Sequence, residues 1–257
     1  MNPPSSPYAT YRFGPGKLTP AVKALVIANV AGYLATLVAP SLTLSLGLIP
    51  AAVVERLWFW QPVTYMFQHG GLFHLLFNML ALWMFGVELE RLWGTRFFAT
   101  YYFVAGIGAA LTTILCSLLW HFAATQDSWL FQFAEPLYTL PTVGASGAIY
   151  GLLLAYGLTW PNRPIYVYAV FPIPAKVFVI IFGAIELLSS ISGSQSGVAH
   201  ATHLGGIVTG YLYLVWRRGS MGSQVRSQIL RWRLNRLRRR FNVHEGGRKN
   251  DTNRWVH

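Results

Sequence analysis

The sequence predicts an all-α membrane protein, a bundle of six transmembrane helices flanked by polar tails. Hydrophobic residues make up 54% of the 257 residues and charged residues only 11%, and the mean hydropathy is +0.41. Soluble domains carry about 25% charged residues. Six apolar runs have the roughly 17–25 residues that a helix needs to cross a bilayer. Basic residues also concentrate on alternate connections between these runs, as in multi-pass membrane proteins.

The predicted spans follow one another with one large interruption. They cover residues 21–39, 70–87, 97–119, 142–160, 175–191 and 198–216. The interruption, residues 41–68, is rich in aromatic side chains but contains Pro50 and Pro62. It is too broken to span, so we expect a loop that lies in the membrane interface. Shorter loops are predicted over residues 120–141 and 161–174.

The basic residues predict which side of the membrane the chain ends face. Twelve of the 20 Lys and Arg residues follow Trp216, and seven more lie near the N-terminus or beside the second-to-third and fourth-to-fifth connections. The three opposite connections carry only Arg56. Because cytoplasmic loops are enriched in Lys and Arg, both termini are predicted to be cytoplasmic. The predicted parts are an N-terminal segment (1–20), a membrane domain (21–216) and a basic tail (217–257).

The basic tail has its own apolar pattern. Leu230, Leu234, Leu237 and Phe241 recur at helical spacing among arginines, which predicts an amphipathic helix on the inner leaflet with anionic lipid as its partner. A cluster just beyond an apolar span favours a lipid anchor, and we expect no nucleic-acid partner. The lone Cys116 excludes an intrachain disulfide. No signal core precedes the first span, which suggests a prokaryotic plasma membrane by elimination.

A serine flanked by glycines begins the fourth span, in the segment Gly144-Ala145-Ser146-Gly147. A polar group in a membrane run is placed there at an energetic cost and needs a reason. The pattern alone is weak evidence, because such serines commonly bond to a carbonyl of their own helix. It also departs from the Gly-x-Ser-x-Gly turn of soluble hydrolases, since position 148 is alanine.

Other polar side chains are predicted at the same depth as this serine. Ser146 and His203 lie a few residues into the fourth and sixth spans, and His74 and Asn78 lie one to two turns into the second. All three spans begin on the outer side, so a rise of about 1.5 Å per residue places the four within about 5–12 Å of that surface. Each histidine alone would commonly be a structural or proton-path residue. Isolated structural residues have no cause to agree in depth.

Small residues predict that the fourth and sixth spans pack closely. Gly147 and Gly151 are four residues apart, as are Gly206 and Gly210, and such pairs let helix backbones approach. Close approach is what a hydrogen bond between the serine and the sixth-span histidine requires. Tyr150 lies one turn after the serine, on the same helix face.

These residue types support nucleophilic catalysis. A serine hydroxyl is a poor nucleophile until a base takes its proton, and His203 can be that base and later protonate the leaving amine. The oxyanion formed by attack on a carbonyl needs donors, for which His74, Asn78 and the Ser146 N–H are candidates. No Asp or Glu lies at this depth in the second, fourth or sixth span. The prediction is therefore a Ser–His dyad without metal or cofactor, with Tyr150 stacked on the imidazole.

The order of these motifs resembles the rhomboid intramembrane serine proteases. The matching motifs are Gly144-x-Ser146-Gly147, His74-x-x-x-Asn78 and His203-Leu204-Gly205-Gly206 with Gly210. The resemblance extends over about residues 21–216 and implies the helical rhomboid fold, with a water-filled cavity open to the outer side. It implies cleavage of transmembrane proteins near that surface, with small residues at the cleavage point. It also implies that Ser146 is the nucleophile, His203 the base, and His74 and Asn78 oxyanion donors.

The same resemblance extends to several supporting positions. His69 matches a histidine often found before the second span, and Glu90 and Gly94 match a structural Glu and Gly after it. Trp60 matches the tryptophan of a Trp–Arg pair in the interfacial loop, but Gln61 follows it here. The family's charge contact in that loop is therefore not expected in this chain.

Two residues and two other functions stay open from the sequence. His200 is a second candidate for the base, and Glu186 in the fifth span is either functional or a structural helix contact. A catalytically inactive relative that binds membrane proteins is disfavoured, because both Ser146 and His203 are present. A small proton or solute transporter would use the same histidines and Glu186, but the inverted repeats that would support it are not seen.

Overall fold

The computed structural model describes residues 14–123, 136–167, 171–191 and 200–217, together with residues 230, 232 and 234. The chain divides into two compact units, Met1–Arg217 and Arg218–His257. The described part of the first unit is mostly helical. In the second unit the three described residues are helical and exposed. The rest of the predicted tail helix lies outside the described residues.

The described secondary structure consists of eleven helices and one pair of strands. The helices are α1 (Pro20–Val38), α2 (Leu42–Leu46), α3 (Pro50–Glu55), α4 (Gln61–Thr64), α5 (Leu72–Ala81), α6 (Val87–Trp93), α7 (Thr95–Ala123), α8 (136–139), α9 (Ser146–Thr159), α10 (Ala175–Ile191) and α11 (200–217). A 3₁₀ turn, Tyr65–Phe67, follows α4, and a π-helical turn, Leu82–Gly86, joins α5 to α6. Strands β1 (Pro164–Val167) and β2 (Phe171–Pro174) pair antiparallel within the region predicted to be a loop.

Three stretches of helix among the described residues are long and apolar enough to cross a membrane. They are α1, α7 and the continuous helix from α5 to α6, Leu72–Trp93. Helices α9 and α10 are apolar but shorter, with 14 and 17 residues. The predicted class, a helical bundle with apolar membrane spans, is confirmed, while the count of six spans stays a prediction.

The second span extends further than predicted. We expected it to end at residue 87, before a charged turn, but the helix continues to Trp93 and stops at Gly94, whose φ is +81°. The charges are tolerated because they are paired. Arg163 donates two hydrogen bonds to Glu88, at 2.7 and 2.9 Å, while Glu90 accepts the N–H groups that begin α1.

The fourth span begins later than predicted, at Ser146 rather than at residue 142. Gly144 has φ +128°, which is not helical. Thr142 instead exchanges two backbone hydrogen bonds with Leu48, at 2.8 and 2.9 Å, in an isolated antiparallel bridge. The 14 residues of α9 span only about 21 Å. The serine therefore lies at a helix N-terminus.

The segment between α1 and α5 is held together by a buried glutamine. The Gln61 side chain is fully buried; its Oε1 accepts the Ile49 N–H at 2.9 Å and its Nε2 donates to the Leu44 carbonyl at 3.2 Å. The adjacent Trp60 indole donates to the Ser45 carbonyl at 2.8 Å. A neutral amide thus crosslinks this segment, where the family resemblance would have placed an arginine.

Helix α7 forms the centre of the bundle and supports both the loop and α9. The buried Tyr101 hydroxyl donates to the Gly151 carbonyl of α9 at 2.7 Å. The buried Tyr65 hydroxyl donates to the Gly106 carbonyl of α7 at 2.7 Å, and the Tyr65 carbonyl accepts the Gly144 N–H at 3.0 Å. These bonds fix the backbone just before Ser146 relative to α7.

Candidate active site

Helices α9 and α11 bring Ser146 and His203 into direct contact. The Ser146 Oγ lies 2.7 Å from the His203 Nε2, which is hydrogen-bonding distance. Ser146 is the first residue of α9, and the first N–H groups of a helix have no partner within it. The serine hydroxyl therefore lies next to unpaired backbone donors and the positive end of the helix dipole.

Glycines on both helices allow this contact. A Cβ placed on Gly206 would lie 1.9 Å from the Gly147 carbonyl oxygen, and one on Gly210 would lie 3.3 Å from the Gly151 Cα. Backbone lies against backbone here, so α9 and α11 approach more closely than any side chain at position 206 would permit. The four glycines singled out by their spacing lie along this contact.

Tyr150 fixes the orientation of the His203 ring. The two rings stack with their centroids 4.3 Å apart and an angle of 13° between their planes. The Tyr150 hydroxyl donates a hydrogen bond to Glu186 Oε1. Since both its ring face and its hydroxyl are engaged, Tyr150 holds the imidazole and the carboxylate in one arrangement.

Glu186, on α10, contacts the histidine of the predicted dyad. Its Oε1 lies 3.0 Å from His203 Nδ1, the ring nitrogen opposite the serine, although the Nδ1–H direction is not aligned with this contact. Its Oε2 lies 2.5 Å from His200 Nδ1. The expectation that no carboxylate lies at the depth of the serine concerned only the second, fourth and sixth spans. The fifth span is predicted to run in the opposite direction, and Glu186 lies five residues before the last residue of α10, about 7.5 Å along the axis.

The side chains of His74 and Ser146 both lie close to Gly144. A Cβ on Gly144 would lie 2.9 Å from His74 Nε2 and 3.5 Å from Ser146 Oγ. Asn78 is buried, and its amide nitrogen donates to the His74 carbonyl at 2.7 Å. One hydrogen of that amide is thus used within α5, which leaves the second for a ligand.

The His69 ring packs against the His74 ring. Its ring meets the His74 ring edge-on, with centroids 5.1 Å apart. His69 is only 4% exposed, and among the described residues neither of its ring nitrogens has a hydrogen-bond partner. Burial, with a smaller contribution from His74, lowers the pKa of His69 to about 4, so the ring is neutral at physiological pH.

A cavity of about 200 Å³ lies beside the serine and contains most of the predicted site. Its lining residues are Tyr65, His74, Asn78, Thr142, Val143, Gly144, Ser146, Thr202 and His203. Among the described residues, one group could in principle hold a metal ion. It comprises Glu186, His200 and His203, whose ligand atoms lie within 4.8 Å of one another. Within this group Glu186 contacts Nδ1 of His200 at 2.5 Å and Nδ1 of His203 at 3.0 Å.

This geometry defines a class of protein: a helical membrane bundle in which a serine and a histidine from different helices meet at a small cavity. Residues 56–219, more than half of the chain, match the Rhomboid domain family. The chain therefore belongs to the rhomboid family and is an integral membrane protein, as the motifs predicted.

Curated relatives agree with this assignment. The chain is 33% identical over 162 residues to "Rhomboid protease AarA" of Providencia stuartii, 30% identical over 154 residues to "Rhomboid protein 1, mitochondrial" of Saccharomyces cerevisiae, and 28% identical over 177 residues to "Rhomboid protease GluP" of Bacillus subtilis. These matches cover 60%, 57% and 66% of this chain. They cover 54%, 38% and 29% of the respective relatives.

Proposed function

We propose that this protein is an intramembrane serine endopeptidase that cleaves transmembrane proteins. The observation that carries the proposal is the 2.7 Å contact between Ser146 Oγ and His203 Nε2 beside a cavity. Two of the relatives, from Providencia stuartii and Bacillus subtilis, are named proteases. A hydrogen-bonded serine and histidine are the minimum apparatus for acyl transfer.

The first step forms an acyl-enzyme. Ser146 Oγ attacks the scissile carbonyl carbon while His203 Nε2 accepts the hydroxyl proton. The tetrahedral intermediate then collapses as the peptide C–N bond breaks, and His203 returns the proton to the leaving amine. Stacking on Tyr150 keeps Nε2 directed at the serine through both transfers.

The oxyanion is stabilised between Ser146 and His74. Gly144 has no side chain, so the carbonyl oxygen of a substrate can occupy the space beside it, close to His74 Nε2 and to Ser146 at the start of α9. The Ser146 N–H, the free Asn78 amide hydrogen and His74 Nε2–H can donate to this oxygen. Fixed donors of this kind are worth about 10²–10³-fold in rate each.

The second step is hydrolysis of the ester. A water molecule loses its proton to His203 Nε2 and attacks the acyl carbon; the C–O bond to Ser146 breaks, and His203 returns the proton to Oγ. Hydrolysis requires water at the site, which fits a serine at the end of a short helix rather than in its middle.

The cavity favours a small residue at the cleaved bond. Its volume of about 200 Å³ is below the roughly 300–1,000 Å³ of pockets for drug-sized ligands. Helical backbone carbonyls are hydrogen-bonded within the helix, so the scissile segment must unwind before attack. We therefore infer a substrate helix with small residues near the outer surface, followed by helix-breaking residues.

The first test is labelling of the detergent-solubilised protein with a fluorophosphonate. Wild type should be labelled, whereas Ser146→Ala and His203→Ala should not. Ser117→Ala is the matched control and should label like wild type. Ser117 is a buried helix serine whose hydroxyl donates to the Ile114 carbonyl of the same helix at 2.8 Å. A folded wild-type protein that stays unlabelled would refute the activated serine, and labelling that survives in Ser146→Ala would refute the site.

Cleavage itself is tested in liposomes with a single-span reporter. The reporter carries alanine and serine near the outer end of its span, and its cut should fall in that segment and disappear with Ser146→Ala. Labelling without any cleavage of such reporters would leave an activated serine but contradict the proposed intramembrane substrate.

A further inference from the structure

We propose that Glu186 is a positioning residue for His203, so that a third side chain supports the Ser146–His203 pair. This inference rests on the proposed protease function. It assigns a role to a carboxylate on α10 that the sequence left open as either functional or structural. The role follows from the hydrogen-bonding needs of the two nitrogens of the His203 ring.

The ring nitrogens require a specific tautomer. For His203 Nε2 to accept the proton of Ser146, the neutral ring must carry its hydrogen on Nδ1. That Nδ1–H then needs an acceptor, because it is buried and has no aligned hydrogen-bond partner among the described residues. Glu186 Oε1, at 3.0 Å, is the acceptor within reach. The imperfect alignment is typical of catalytic hydrogen bonds before substrate binds.

The carboxylate is held in place from two further sides. Glu186 is 6% exposed; the Tyr150 hydroxyl bonds to its Oε1, and His200 Nδ1 contacts its Oε2 at 2.5 Å. A buried carboxylate needs such donors to remain charged. Its orientation is therefore set by α9 and by the first turn of α11 before His203 changes its charge.

The negative charge of Glu186 has a function during the reaction. When Ser146 loses its proton, His203 becomes an imidazolium, and Glu186 lies beside the nitrogen that carries the second hydrogen. The carboxylate stays ionised throughout, so it acts through His203 and never contacts the substrate. A purely structural contact between α10 and α11 would stabilise the fold equally but would not affect the rate of the chemical step.

The test compares Glu186→Gln and Glu186→Asp with wild type in the full-length protein. The fluorophosphonate labelling rate is resolved into kinact and KI, and the unfolding temperature is measured in the same detergent. We expect Glu186→Gln to lower kinact about 10- to 100-fold, the value of one hydrogen bond to a charged group, while KI changes less than about twofold. Glu186→Asp keeps the charge and should recover part of kinact.

Glu88→Gln is the matched control. It also converts a partly buried, paired carboxylate to an amide, but its partner is Arg163, away from the serine. It should lower the unfolding temperature and leave kinact at the wild-type value. This separates loss of a carboxylate contact in general from loss of this one.

The outcomes are distinguishable. If the Glu186 variants that fold have the wild-type kinact, the positioning role of Glu186 is refuted and the proposed protease function is unaffected. If Glu186→Gln does not fold, Glu186→Asp tests the positioning role alone. Its kinact must then fall below the wild-type value, because the shorter side chain moves the carboxylate away from His203 by one methylene. An unlabelled, folded wild type would refute the proposed protease itself.

Discussion

The tightest contact between the two site helices makes a sharp prediction for Gly206→Ala. The added Cβ would lie 1.9 Å from the Gly147 carbonyl oxygen, whereas close carbon–oxygen contacts are about 3.3–3.6 Å. Both atoms are backbone or backbone-attached, so no side chain can turn away. Helices α9 and α11 must separate by about 1.4–1.7 Å.

The two helices would separate next to the site, because Gly147 follows Ser146 and Gly206 lies three residues after His203. If this separation is transmitted, the Oγ–Nε2 distance rises from 2.7 Å beyond hydrogen-bonding range. A misplacement of about 1 Å at a reacting group costs about 10²-fold. We therefore expect fluorophosphonate labelling to slow at least about 10²-fold, with about 1–3 kcal/mol lost from the free energy of unfolding through overpacking.

The assay is the labelling rate per folded molecule, with the folded fraction determined by thermal unfolding in detergent. Gly183→Ala is the matched control, because a Cβ at that α10 position would meet only Ile207 Cδ1, at 4.0 Å, which is an ordinary contact. It should label like wild type. Wild-type labelling by folded Gly206→Ala would mean that the close approach does not set the serine–histidine geometry.

Three further predictions concern the scaffold. Glu90→Gln should lose about 2–4 kcal/mol of unfolding free energy, because the Ala21 and Val22 N–H groups bond to that carboxylate at 2.9 and 3.0 Å; unchanged unfolding in detergent would contradict this. Gln61→Leu should lower the free energy of unfolding by about 2–3 kcal/mol and speed proteolysis within residues 41–68. Proteolysis at the wild-type rate would refute the role of Gln61 as a crosslink in this segment. His69, which precedes the second span, has a pKa of about 4 when folded against 6.5 when exposed. The unfolded chain therefore binds the proton first, so stability is complete above pH 6.5 and falls by up to about 3 kcal/mol towards pH 4; His69→Asn should flatten this loss in pH-dependent unfolding, and a parallel loss in the variant would contradict it.

The sequence singled out Ser146 and His203, which lie in contact in the structure, because their place on the chain follows from local properties. The length of an apolar run fixes where a helix lies, and the fifth predicted span coincides with α10, residues 175–191. The spacing of Gly206 and Gly210 likewise indicated which helix faces approach. The identity of the family followed from motifs on three spans, and the domain match confirms it.

The start of α9 could not be predicted in the same way. It depends on Leu48, which pairs with Thr142 from a distant part of the chain, and on Tyr65, whose carbonyl accepts the Gly144 N–H. Both are long-range contacts, and they draw residues 142–144 out of helix. The consequence is functional, because Ser146 gains the unpaired N–H groups of a helix N-terminus.

A comparison within the molecule bears on why a charge is present at position 186. Helices α7 and α11 are also joined by a buried polar contact, between the hydroxyls of Thr113 and Thr202 at 2.7 Å. Joining two membrane helices thus requires only neutral groups, and a buried carboxylate is far more costly to desolvate. Glu186 carries that cost beside the one ring nitrogen that must hold a hydrogen while His203 takes the proton of Ser146. The imidazolium that forms on His203 explains why position 186 carries a charge. Only in that state does a carboxylate stabilise the site more than an amide would.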